Sequence, residues 1–276
     1  MNWSKRPIER IEGDTALLSV VFTWHLPDAY SRAVWLREMG YRVKAGGPAV
    51  KLMPDYLADV AECNGMAVDA LPWHNPAATF TSRGCIRRCP FCAVPKIEGN
   101  LVELDDWPVR PIVCDNNLLA CSKAHFDNVI DSLKPLSGID FNQGLDARLL
   151  TKYHAERLAE LDCTVRLAFD SVGYESAFMG AFEKLYDAGI SPDHTRVYVL
   201  LGFKDTPEDA LYRLQTVRKL GTWPNPMRYQ PLDALTYNSY VGKYWTEREL
   251  RRYMRYWARS MFFERVGVSF EEYKRG

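Results

Sequence analysis

The chain has 276 residues, enough for one large domain or a large one with a small appendage. With 47% hydrophobic and 25% charged residues it has the composition of a soluble globular protein, and no apolar run is long enough to span a bilayer. Its 35 basic and 35 acidic residues cancel, which excludes a global attraction to nucleic acid or membrane but leaves room for a local patch.

The first stretch, MNWSKRPIERIEGD, carries charges where a signal peptide needs an apolar core, so a cytoplasmic protein is expected. Residues 16–24 (ALLSVVFTW) read as a buried strand. A helix follows over 27–39, with Tyr30, Ala33, Val34 and Trp35 as its apolar face and Gly40 as its stop signal. Residues 41–52 (YRVKAGGPAVKL) read as a second strand, broken at Gly46-Gly47-Pro48. Strand, helix and strand of these lengths make a βαβ unit, half of a Rossmann-like layer, within a first domain of residues 1–76.

From residue 77 a regular alternation sets in. Candidate strands are 78–82, 109–114, 139–143, 164–169, 196–201 and 227–230. The best-formed helix is 206–220: Thr206 can cap it, Pro207 sits at its first position, Gly221 ends it, and Ala210, Leu214 and Val217 line one face. Strands alternating with helices over 77–232 predict a parallel α/β sheet. Periodicity alone permits either a barrel-like or an open doubly wound arrangement. In the remaining residues, 233–276, a helix is expected over 246–262 with Thr246 and Glu249 as a capping box. Leu250, Met254, Trp257 and Met261 form one face of it, and Arg248, Arg252, Arg255 and Arg259 the other. Such an arginine stripe is more often a solvated face, but it can also track phosphates. Tyr253, Tyr256 and Trp257 suit either base stacking or a core.

Chemistry concentrates in SRGCIRRCPFCAVPKIEG, residues 82–99. Cys85, Cys89 and Cys92 stand in a C-x₃-C-x₂-C spacing, with Phe91 just before the last thiol. Three thiolates can hold three corners of a [4Fe–4S] cube and leave the fourth iron open. Zinc is the alternative. A closed zinc site needs a fourth ligand, and His74, eleven residues before Cys85, and Cys114, twenty-two after Cys92, give no familiar zinc spacing. The other four cysteines, Cys63, Cys114, Cys121 and Cys163, are too scattered for a second cluster and read as small buried hydrophobes.

This run resembles the signature of the radical SAM superfamily. The resemblance implies a partial (β/α)₆ barrel, a partial TIM barrel, with a small N-terminal Rossmann-like βαβ segment and a C-terminal helix. It implies an enzyme whose [4Fe–4S] cluster, on Cys85, Cys89 and Cys92, binds S-adenosylmethionine. An external donor of the flavodoxin or ferredoxin kind reduces the cluster. The sulfonium is cleaved to methionine and a 5′-deoxyadenosyl radical, which abstracts hydrogen from substrate. By position, Phe91 shields the cube, and the oxygens of Asp115, Asn116 and Asn117 after the second strand accept from the methionine ammonium, unless these residues form an Asx turn that closes the strand. Gln143 and Arg148 follow the third strand as partners for cofactor or substrate, unless Asp146–Arg148 starts a helix. Asp170 after the fourth strand takes the ribose hydroxyls, unless it caps the next helix. Gly202 after the fifth allows close backbone approach.

The flanks of the run also look like the tRNA methylthiotransferase branch. That branch carries a second cluster on three upstream cysteines, and here only Cys63 lies upstream. Residues 16–52 resemble the second half of a cobalamin-binding domain but lack its Asp-x-His-x-x-Gly motif; a shrunken domain that packs on the barrel or covers its mouth is favoured over cobalamin binding. Two substrate classes stay open, a nucleobase or nucleic acid and a peptide or small metabolite, the latter including methyl transfer. A non-catalytic iron–sulfur or zinc binding module is the reading from outside enzymology.

Overall fold

The computed structural model describes residues 3–4, 6–63 and 70–275. The chain divides into two compact units. One comprises residues 1–79, 87–100 and 230–239, and the other 80–86, 101–229 and 240–276. The expected boundaries at 76/77 and 232/233 fall near two of these divisions. The C-terminal helices, however, belong to the second unit and not to a separate domain, because they share its core.

In the first unit, β1 (Ile8–Glu12) and β2 (Thr15–Ser19) form an antiparallel hairpin. Helix α1 (Leu26–Glu38) then leads to β3 (Arg42–Gly46), which pairs parallel with β2. The βαβ expectation holds for this pair, but the hairpin partner was not foreseen: β1 (IERIE) is an exposed edge strand with no apolar signal. Strand β2 stops at Ser19, short of the expected Trp24. The buried face of α1 is Leu26, Ala29, Ala33 and Leu36, leaving Trp35 exposed under the guanidinium of Arg32 at 4.0 Å. The second half of the expected strand 41–52 is a helix, α2 (Pro48–Leu52). Gly47 turns the chain at φ +102°, and a Cβ there would sit 2.6 Å from the Val20 carbonyl oxygen. Pro48 then presets the first helical turn. Ala16, Leu18, Leu36, Val43, Ala45 and Val50 belong to this unit's core. Short α3 (Leu71–His74) and β4 (Ala78–Thr79) follow.

In the second unit, β5 (Ser82–Arg83) pairs antiparallel with β6 (Val102–Glu103). The expected strand 78–82 is therefore split in two. The stretch between β5 and β6 holds α4 (Val94–Ile97), which belongs to the first unit. Next come β7 (Ile112–Val113), α5 (Lys123–Leu133), β8 (Ile139–Phe141), α6 (Lys152–Leu158) and β9 (Cys163–Ala168). Helix α7 (Glu175–Asp187), β10 (Thr195–Leu201), α8 (Pro207–Lys219) and β11 (Trp223–Arg228) complete the alternation. The six-stranded sheet runs β4-β7-β8-β9-β10-β11, and the pairings from β7 to β11 are parallel. Every strand lies beside its predecessor in this series, so the sheet has no point at which the winding reverses.

Burial alternates residue by residue along β9 and β10. Val165, Leu167, Val197, Val199 and Leu201 join the apolar stripes of α7 and α8 in one core. The opposite face carries Asp140, Arg166 and Tyr198. A sheet sandwiched between two helix layers would instead give near-continuous apolar strands. Helix α8 has the expected bounds and capping box, with Thr206 and Asp209 bonded reciprocally. Strand β11 begins four residues before the expected start, through Pro224 and Pro226. It is an edge strand, and the two prolines share a parity, so neither removes a donor that β10 needs.

The C-terminal helix is shorter than expected. Helix α9 (Glu247–Trp257) has its Thr246–Glu249 capping box, and Arg259, at φ −131°, breaks the run before α10 (Ser260–Arg265) and α11 (Phe270–Arg275). Its buried face is Leu250, Tyr253, Tyr256 and Trp257, while Met261 is exposed. Tyr253 meets Trp245 and Phe270 edge-on, and Tyr256 stacks on Phe263 at 4.9 Å. These aromatics are core and present no face to a base. Among the described residues, no helix is long and apolar enough to cross a membrane.

Candidate functional site

The root of the cysteine run is built by one buried carboxylate. Asp115, just after β7, accepts hydrogen bonds from the Thr81 N–H (2.6 Å), the Thr81 hydroxyl and the Ser82 hydroxyl (2.7 Å). Burial pushes its pKa up, against those three donors. His125 Nε2 lies 3.3 Å from the Thr81 hydroxyl, and the Leu104 N–H donates to the Thr81 carbonyl at 3.0 Å. Three residues beyond Ser82, and through the β5–β6 ribbon, the chain reaches Cys85. In the sequence Asp115 looked like part of an Asx turn; its role comes from a contact 34 residues away.

Cys85 is half-buried and lies in the second unit. The Asn117 side-chain amide donates to its Sγ at 3.4 Å and also lies 3.5 Å from an Asp146 carboxylate oxygen. Asp146 in turn takes a bidentate bond from Arg148, at 2.7 and 3.1 Å, and the Arg148 guanidinium lies 4.9 Å from the centre of the Tyr174 ring. Asn117 Oδ1 is buried with no hydrogen-bond partner among the described residues. An orphaned acceptor beside a thiol is where a donor on a bound molecule relieves a desolvation penalty.

Cys89, Phe91 and Cys92 are half-buried and lie in the first unit. The Cys92 N–H closes a turn onto the Cys89 carbonyl at 3.0 Å, and α4, which follows at once, packs on α2. None of the seven cysteines is in a disulfide. Burial pushes the thiols of Cys114 and Cys163 up to about 12 and that of Cys121 up to about 11, and raises Cys63 as well. Cys114 and Cys163 are fully buried, as expected; Cys63 and Cys121 are half-buried. Among the described residues, no group of three or more His, Cys, Asp or Glu side chains is gathered as a metal site. The fit of the loop to a cluster rests on donor chemistry: three thiols within the eight positions 85–92 of one loop, none of them in a disulfide and one holding a hydrogen-bond donor on its sulfur.

The other candidates separate along the strand ends. Asn116 is half-buried and Gln143 exposed, while Arg148 is committed to Asp146 in a turn, not at a helix start. Asp170 does not cap the following helix turn; Ser171 does. The Asp170 carboxylate instead accepts from the Leu200 N–H at 3.2 Å, and burial pushes its pKa up to about 6, opposed by Arg213 and Arg148. Gly202 adopts φ +83°, and a Cβ there would lie 3.0 Å from Leu250 Cδ2. Its open side is thus occupied by α9.

Two clusters escaped sequence reasoning. Arg213 of α8 is fully buried and donates to the Phe169 and Leu200 carbonyls, each at 2.9 Å, and to the Asp205 carboxylate. It ties the ends of β9 and β10 together beside Asp170. On the polar sheet face, Arg166 and Asp140 form a two-bond ion pair at 2.7 and 2.6 Å, with the Tyr198 ring alongside and its hydroxyl donating to the Asn142 carbonyl. Arg166 and Tyr198 alternate with apolar Val165, Leu167, Val197 and Val199, which was their one local signal; nothing local marks Arg213. No protein-family model matches the chain, and no curated protein matches it.

Proposed function

We propose that the chain is an enzyme of the radical SAM type: a partial parallel barrel in which Cys85, Cys89 and Cys92 hold a [4Fe–4S] cluster and S-adenosylmethionine binds beside it. The observation that carries this reading is the thiol triplet on a loop rooted next to the strand ends of a consecutively wound sheet with one polar face. Strand order without reversal and the period-two burial of β9 and β10 support a barrel-like curl over a doubly wound sheet. When bound, the two groups supply one-electron cleavage of a carbon–sulfur bond and hydrogen abstraction from a substrate.

The chain's own residues bind and orient. Asp115 fixes the loop root, so Cys85 leaves the ribbon in one place. Asn117 holds the Cys85 sulfur and offers Oδ1 to a donor such as an ammonium group. Asp170 stands at the tip of β9, where its second oxygen can accept from a hydroxyl, and Arg213 holds that tip against β10. The polar sheet face, with Arg166, Asp140 and Tyr198, supplies hydrogen-bonding groups for a substrate.

Metal analysis of protein purified without oxygen tests the reading. It expects iron and acid-labile sulfide near four each per chain, lost together when any of Cys85, Cys89 or Cys92 is replaced by alanine. Stoichiometric zinc with no iron overturns it in favour of a zinc-binding module.

A further inference from the structure

We infer that the outer face of α9 is a docking surface for the phosphodiester backbone of a single-stranded nucleic acid. As a substrate-docking face it rests on the enzyme reading above; as a binding surface it needs no cofactor. Arg248, Arg252 and Arg255 fall within a narrow arc of the helix at one hundred degrees per residue, and Arg259 follows in the break between α9 and α10, two residues past Trp257. The three helical members span roughly 10 Å. Arg248, Arg255 and Arg259 are exposed and Arg252 half-exposed. The opposite arc is the buried one, with Leu250, Tyr253 and Trp257, so the helix is not free to lay an apolar face into a membrane.

No hydrogen bond or ion pair holds any of the four guanidinium groups among the described residues. The acids nearby are already spent. Glu249 caps Thr246, Glu247 pairs with Arg228 and Arg251, and Glu264 pairs with Arg218. Helix stability does not explain the row. Its members are like-charge neighbours at i,i+4 and i,i+3, spacings that destabilise a helix. Arg248 also stands in the first turn, at the positive end of the macrodipole. In a chain of formal net charge zero, four cations without a partner among the described residues, three of them on one helical arc, are a local concentration that complements a polyanion. Phe262, 59% exposed, follows Arg259 by three residues on α10 and offers a ring for base stacking.

The test is fluorescence anisotropy of a labelled, mixed-sequence single strand of twenty nucleotides, titrated with the full chain between 50 and 200 mM salt. Four phosphate contacts predict a log–log slope of about −2.8, an affinity loss of about fifty-fold over that range. Each single Arg→Gln change at 248, 252, 255 or 259 lowers the slope by about 0.7, and the quadruple change brings it near zero. Arg→Lys at the same positions keeps most of the slope, and R251Q, outside the row, leaves it unchanged. Thermal melting of the quadruple variant should match or exceed that of the wild type, which separates lost binding from lost fold. Three results overturn the inference: no binding at 50 mM salt, an unchanged slope in the quadruple variant, or capture by anionic vesicles or polyglutamate through this row with no capture of the strand. Because the readout ignores cofactor cleavage, iron-free protein that binds the strand counts against the enzyme reading alone. Iron-loaded protein that does not bind it counts against this surface alone.

Discussion

Arg213 is a fully buried cation whose removal has a calculable cost. Its guanidinium closes an ion pair with Asp205 and satisfies the carbonyls of Phe169 and Leu200. Arg213→Met keeps much of the volume and removes the charge. It leaves Asp205, which still accepts from the Gly202 N–H and the Trp245 indole, without its counter-ion. Breaking a buried pair from one side costs about 3–5 kcal/mol, and each strand carbonyl left short of a partner adds about 1 kcal/mol. A total of about 5–7 kcal/mol is a large part of a typical folding free energy of roughly 5–15 kcal/mol. At about 2–4 °C per kcal/mol for a chain of this size class, the melting temperature should fall by about 10–28 °C. The second change Asp205→Asn keeps an acceptor for Gly202 and Trp245 but removes the stranded charge, and should recover about 2 kcal/mol of the loss. Thermal melting followed by circular dichroism reads both variants. A single variant within 2 °C or so of the wild type, or a double variant no more stable than the single, refutes the account of the β9–β10 tie.

Asp170 has a folded-state pKa near 6, above the roughly 3.9 of an unfolded aspartate. The folded state therefore holds an extra proton between those values, and the stability contributed by the neutral carboxyl is lost as pH rises through 6. Asp170→Asn should gain stability relative to the wild type above pH 6 and flatten the decline between pH 4 and 6 in urea midpoints; parallel profiles would show that the carboxyl is not perturbed. Gly47→Ala forces a Cβ to within 2.6 Å of the Val20 carbonyl oxygen at a left-handed φ. The backbone strain alone costs about 1–3 kcal/mol, so a wild-type urea midpoint for this variant contradicts the turn that starts α2. Asn117→Leu removes the donor on the Cys85 sulfur. In reconstituted protein the cluster's midpoint potential should move negative, and an unchanged potential in an electron paramagnetic resonance titration rules out the contact.

The parts of the fold written in local pattern were legible. Helix α8 announced itself through Thr206, Pro207 and Asp209, and α9 through Thr246 and Glu249, because caps and first-turn prolines are short-range chemistry. Strands β9 and β10 showed in β-branched runs of the right length. The errors arose where a residue's role is set by distant neighbours. The strand that was placed at 227–230 starts instead at Trp223, because the edge position of β11 makes the missing donors of Pro224 and Pro226 harmless. The apolar run after Gly47 could be strand or helix, and the Val20 carbonyl decided it. Tyr253 and Tyr256 could face a ligand or the core, and Phe270 and Phe263 decided that.

The site divides in the same way. The cysteine spacing is contiguous and was plain, as was Asp170 at a strand tip. Asp115, Arg213 and the Arg166–Asp140 pair join strand ends and faces through residues 13 to 44 positions apart, and no local signal marks these contacts. Arg213 in particular sits on a helix that reads as amphipathic, where an arginine is ordinarily assigned to solvent.

The central claim is that three loop thiols hold a reducible cluster next to a sulfonium cofactor. Its most direct test is incubation of anaerobically reconstituted protein with S-adenosylmethionine and dithionite, with chromatographic detection of 5′-deoxyadenosine. Multiple turnovers in the wild type, with none in the Cys85→Ala, Cys89→Ala and Cys92→Ala variants, is the predicted result. Iron-loaded wild-type protein that releases no 5′-deoxyadenosine, or alanine variants that release as much as the wild type, would contradict it.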